Sequence, residues 1–136
     1  PGCAPFEAWS MNRFENQAPD HALFGSTGQP VVVCEATLLS WRNTFAVDVF
    51  GSSGSAHVQG LCKWGPSLLT VRRRVLPSGR PHEEVQTVEG ADPTWEREYR
   101  HFDGLCRTGG TNLENDLWIH AALADIARSA EACVAA

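Results

Sequence analysis

Few residues of this chain have both the type and the spacing that chemistry needs. Lys63, the sole lysine, stands next to Trp64. An ammonium can hydrogen-bond several hydroxyls, and an indole offers a broad face for stacking. Burial habits give the plainer alternative, in which Trp64 packs at a strand end and Lys63 is solvated. Trp41, Arg42 and Asn43 form a similar cluster with the same two readings. Arg72, Arg73 and Arg74 are consecutive. On a strand they alternate between faces, so a solvated strand end with paired charges is expected ahead of an anion site. Glu35 falls mid-strand and reads as exposed or satisfied, with a ligand contact as the sharper alternative. Asp116 and His120 lie one helical turn apart, which can put two ligands on one face. Two residues do not make a metal site, and a solvated pair is expected.

The cysteines, at 3, 34, 62, 106 and 133, form no Cys-x-x-Cys and have no histidine at zinc-ligand spacing from a cysteine pair. They read as reduced thiols of a cytoplasmic protein, with Cys34, Cys106 and Cys133 as small apolar residues. Gly25-Ser-Thr-Gly28 lacks the lysine and the helix start of a phosphate loop. A length of 136 residues suits a single domain, 1–136. The composition, 43% hydrophobic and 20% charged, is ordinary for a soluble globular domain. A net charge of −5 argues against a general nucleic-acid binder, which needs a positive face. No apolar run approaches about 18 residues, so no membrane span is expected. The first residues show neither a basic start nor a long apolar stretch, so no signal peptide is expected. With no initiator methionine, the chain is expected to be a processed or excised piece of something longer.

The elements follow from periodicity. Residues 43–61 are the centre of the pattern. Phe45, Val47 and Val49 alternate with Thr44, Ala46, Asp48 and Phe50, the period of a strand with one buried face. Gly51-Ser-Ser-Gly54 supplies the reversal, and Ala56, Val58 and Gly60 alternate with His57, Gln59 and Leu61. A β-hairpin is expected here. A weak first strand is expected over 5–14, a loop over 16–30, a strong strand over 31–41, another over 67–76 and an edge strand over 83–89. After Gly90 the period becomes helical. Trp95, Tyr99, Phe102 and Cys106 make one stripe, read as core, behind an expected Asp92 N-cap and Pro93. Thr111 to Glu114 reads as a capping box, and Ile119, Leu123, Ile126, Ala130 and Cys133 continue a second helix. The expected class is α+β: an open, predominantly antiparallel sheet of about six strands with two C-terminal helices packed on one face. If both faces of 31–41 are apolar strand surface, a partner subunit or domain is the natural cover.

The segments EATLLSWRNTFAVDVFGSSGSAHVQGL, LPSGRP, DPTWEREYRHF and TNLENDLWIHAALADIARSAE, taken in that order, resemble the C-terminal domain of the Gfo/Idh/MocA family. These are glucose–fructose oxidoreductase-like and inositol dehydrogenase-like NAD(P)-dependent enzymes. A strand ending in Phe50-Gly51-x-x-Gly54-Ser55 and a final helix ending near Arg128-Ser129-Ala130 are the more specific parts, and the likeness covers nearly the whole chain. The resemblance implies a parent oxidoreductase whose N-terminal Rossmann domain binds NAD or NADP. Its α+β domain covers a sugar, sugar derivative or polyol, and its open sheet face makes homo-oligomer contacts. Hydride passes between a carbinol carbon and the nicotinamide.

This chain departs from the whole-enzyme pattern. It has no Gly-x-Gly-x-x-Gly, so no cofactor site is expected within it. It has no Glu-Lys-Pro motif, and Lys63 does not match the family's catalytic lysine. The family's Asp/His pair lies on a helix before the sheet, and this chain reads as starting after it. No catalytic residue is therefore carried over, and His57, His101 and His120 are not promoted to the missing role. The fragment alone is expected to be inactive, with the parent's own Rossmann domain as its partner. Substrate contacts would come from Lys63, Trp64, Trp41 and Arg42, together with the 16–29 loop. The alternative is a stand-alone small-ligand-binding or dimerisation module without catalysis. An independent hydrolase built on histidine and acidic residues has no motif to support it.

Overall fold

The computed structural model describes residues 5–61 and 65–134, with side chains through Ala130. The fold is α+β, with seven strands in two open antiparallel sheets and two helices. The chain divides into two compact units, Pro1–Trp41 with Thr108–Ala136, and Arg42–Arg107.

In the first unit, β1 (Glu7–Asn12), β2 (His21–Ser26) and β3 (Val32–Thr37) pair antiparallel in sequence order. Strand β2 occupies the stretch that the sequence predicts as a loop. Its six residues are hemmed in by Pro19, Gly28 and Pro30 and interrupted by Gly25, so breaker residues mask a short alternation of Ala22, Phe24 and Ser26. The glycine has a packing reason. A Cβ there would run into the Val32 carbonyl oxygen and the Trp9 indole. Trp9 itself is the extra residue of a bulge between Ala8 and Ser10.

Helix α2 (Leu113–Val134) packs on β1. Ala8, Ile126 and Ala130 form the buried centre of that contact, with Phe6, Met11 and Phe24 against it. The helix is also tied to the strand by hydrogen bonds: the Ala8 N–H donates to Ser129 Oγ (2.7 Å), whose hydroxyl donates to the Ile126 carbonyl (2.8 Å). The N-terminal half of α2, by contrast, leaves Leu113, Leu117, Trp118 and Leu123 exposed.

The second unit is a meander of β4 (Ala46–Gly51), β5 (Gly54–Gln59), β6 (Ser67–Arg73) and β7 (His82–Val88), followed by α1 (Thr94–Thr108). The expected hairpin is present. Gly51 pairs with Gly54 around Ser52-Ser53, and Gly54 has φ 154°, with the Arg72 carbonyl where a Cβ would stand. The register sorts the side chains. Val47, Val49, Ala56, Val58, Leu69 and Val71 share one face, while Asp48, Phe50, Ser55, His57, Thr70, Arg72 and Glu83 share the other. No described residue of this unit is fully buried.

Both helices begin one residue later than their sequence signals suggest. The first intrahelical bonds run from Arg97 N–H to the Pro93 carbonyl and from Asp116 N–H to the Asn112 carbonyl. Asp92 and Thr111 still serve the helix starts, accepting from the Thr94 and Leu113 amides (3.0 and 3.1 Å). The aromatic stripe of α1 is not core. Trp95, Tyr99 and Phe102 are 76%, 71% and 60% exposed, because no strand of the unit packs along the helix. Cys106 is likewise exposed, whereas Cys34 is half-buried, and neither is in a disulfide.

Candidate functional site

Within neither unit do the described residues singled out by chemistry assemble into one site. Lys63 and Trp64 lie outside them. Trp41 lies in the bend after β3, has the left-handed φ of 54°, and is 83% exposed; Arg42 follows it in the same bend, also exposed. An indole held clear of the core can offer a stacking face. Glu35 is exposed and paired with His21 (Oε1 to Nε2, 3.1 Å), the satisfied alternative for a mid-strand carboxylate. Arg72 and Arg73 pair across the sheet with Glu83 (2.6 Å) and Glu84 (3.5 Å), as alternation of faces requires. Asp116 and His120 are both exposed, and no metal-binding cluster occurs among the described residues.

Two polar constellations emerge that residue spacing did not single out. The first is built on Asp20, which is 2% exposed. Its Oδ2 accepts from the backbone N–H groups of Phe14 (2.7 Å), Glu15 (2.8 Å) and Asn16 (3.2 Å), and its Oδ1 from the Asn16 amide. The Glu15 amide, the Asn16 side chain and the Phe14 amide hold its carboxyl well below the usual carboxylate range, outweighing the opposing effect of burial. Asp20 thus closes the β1–β2 connection. Its main chain joins in, donating to the Asn12 carbonyl (2.9 Å) and accepting from the Leu38 amide (2.8 Å).

The second lies on the polar face of the β4–β7 sheet. Asp48 Oδ1 is 2.6 Å from His57 Nδ1, and His57 Nε2 is 2.8 Å from Ser55 Oγ. An ionised carboxylate can only accept, so Nδ1 carries the proton; in the neutral ring Nε2 then accepts from the Ser55 hydroxyl. The side chain of His57 is 17% exposed and that of Asp48 53% exposed. The Phe50 ring meets the imidazole edge-on, centroids 5.6 Å apart. Positions and register produce this chain. Asp48 and His57 are directly opposed across β4 and β5, and Ser55, two residues before His57, shares its face. A two-residue turn between Gly51 and Gly54 fixes that pairing, so Asp48 opposite His57 could have been counted from the sequence.

No protein-family model, curated protein or solved structure matches the chain. Among the described residues, no helix is long and apolar enough to cross a membrane.

Proposed function

We propose that the chain is the C-terminal, substrate-covering and oligomerising domain of an NAD(P)-dependent oxidoreductase of the Gfo/Idh/MocA kind, acting in the cytoplasm on a sugar, sugar derivative or polyol. The observation that carries this reading is the apolar surface the chain leaves open. The aromatic stripe of α1 and the first half of α2 are exposed, as is Val49 on the apolar sheet face. Unpartnered apolar surface of this kind belongs to an assembly. The α+β order, antiparallel strands followed by two helices, is the order the resemblance implies. In this reading the helices meet the parent's Rossmann domain, and the apolar face of the β4–β7 sheet meets a second copy. Trp41, Arg42, Lys63 and Trp64 contact substrate, while NAD or NADP and the hydride chemistry belong to the other domain.

The test is the solution mass of the chain by light scattering, with NADH and NADPH binding followed by fluorescence on the same sample. A discrete oligomer that binds neither nucleotide supports the proposal. Tight nucleotide binding by this chain alone overturns it, since no dinucleotide fingerprint is present. A monomer without binding removes the sheet-face contact from the proposal. A gene that begins at this chain's start would favour a stand-alone ligand-binding or dimerisation module.

A further inference from the structure

We propose that Ser55 is an activated nucleophile and that the polar face of the β4–β7 sheet cleaves small activated esters by acyl transfer to it. This rests on geometry independent of the oxidoreductase reading. The hydroxyl, imidazole and carboxylate are connected in the order a serine nucleophile needs: Ser55 Oγ to His57 Nε2, and His57 Nδ1 to Asp48 Oδ1, at 2.8 and 2.6 Å. The carboxylate fixes the tautomer, which leaves Nε2 free to take the hydroxyl proton. All three groups sit on paired strands rather than on a mobile loop, so their mutual geometry is held by the ladder. Arg72 is the cross-strand partner of Ser55, which puts a cation on the same row of the sheet. Side chains so paired have Cβ atoms about 5 Å apart, so a guanidinium turned toward Ser55 would stabilise a developing oxyanion. Glu83, opposite Arg72, holds that side chain through Nε (2.6 Å). Ser55 and His57 are half-buried and Asp48 beside them is exposed, so a small ester can approach Ser55.

The steps balance without any co-reactant beyond water. Ser55 Oγ bonds to the ester carbonyl carbon while its proton passes to His57 Nε2. The carbon–oxygen bond to the leaving group breaks, and the His57 proton goes to the departing oxygen. Water then bonds to the acyl carbonyl carbon while giving a proton to His57 Nε2; the carbon–Oγ bond breaks, His57 returns that proton to Ser55 Oγ, and the acid leaves.

The experiment uses the full chain with p-nitrophenyl acetate, reading p-nitrophenolate release and mapping the acetylated residue by peptide mass spectrometry. The expected result is an acetyl group on Ser55, absent in Ser55→Ala. His57→Ala should slow its formation about a hundredfold, the usual contribution of a positioned base. Asp48→Asn should slow it as well. Acetylation of wild-type protein only at Lys63, a cysteine or the N-terminal amine overturns the proposal, whatever the variants do. So does a Ser55 adduct that forms equally fast in His57→Ala with the native circular-dichroism spectrum.

Discussion

Asp20 turns a carboxylate into the organiser of a chain reversal. Three backbone donors and the Asn16 amide converge on it. Asp20→Ala should therefore leave those donors without a protein partner, lower the melting temperature by several degrees, and speed hydrogen exchange at the Phe14, Glu15 and Asn16 amides. Asp20→Asn, which keeps the shape and one acceptor, should lose less. The pH dependence has a definite sign. The folded carboxyl titrates below its unfolded value, so its contribution is complete above the ordinary aspartate pKa, about 3.9, and is lost as pH falls from there through the folded value. The melting-temperature gap between wild type and Asp20→Asn should hold near neutral pH and narrow only below about pH 4. A gap that stayed constant down to strongly acidic pH would remove the carboxylate from this role. Nothing in the sequence marks Asp20, because the usual aspartate turn bonds to amides that follow it, whereas this one reaches back to amides that precede it.

At the scale of elements, exposure decides what a substitution costs. Ile126 on α2 is buried against β1, and Ile126→Ala should cost about 2–5 kcal/mol. Phe102 on α1 is exposed, and in the isolated chain Phe102→Ala should stay within about 0.5 kcal/mol of wild type. Urea denaturation of both variants checks the contrast; equal losses would mean that the α1 stripe is packed after all. The same contrast explains how much the sequence could tell. Trp95, Tyr99 and Phe102 were legible as one face of a helix because period 3.6 is a local property. What covers that face is not local, and the buried core lies elsewhere, where Ile126 and Ala130 of α2 meet Ala8 of β1, distant from them in sequence. The hairpin was legible through its turn, since Gly51 to Gly54 sets the register of everything on β4 and β5. Strand β2 was hidden because Gly25 and its flanking prolines signal a break, while the strand itself is completed by neighbours on both sides. The candidate site was legible only in part: the hairpin turn sets His57 opposite Asp48, but the hydrogen bonds that link Asp48, His57 and Ser55 are side-chain geometry that spacing does not give.

At the scale of the whole molecule, the two faces of the β4–β7 sheet have different work in the proposals made for it. One carries Val47, Val49, Ala56, Val58, Leu69 and Val71; the other carries the Ser55–His57–Asp48 chain and the Arg72–Glu83 pair. Association through the apolar face would remove valine surface from water, at roughly 25 cal/mol per Å² of apolar area, and leave the polar face open. Edge pairing is the competing mode, because β4 is an outer strand of its sheet among the described residues, and outer strands are templates for pairing. Two substitutions on that same strand separate the modes. Val49→Lys puts a charge on the apolar face, and Phe50→Lys puts the same charge on the polar face of the same edge; both side chains are exposed, so the fold should tolerate either. Face-to-face association predicts that Val49→Lys reduces the mass seen by light scattering to the monomer while Phe50→Lys leaves it unchanged. Equal loss in both variants would assign the contact to the strand edge, and no loss in either would take β4 out of the interface.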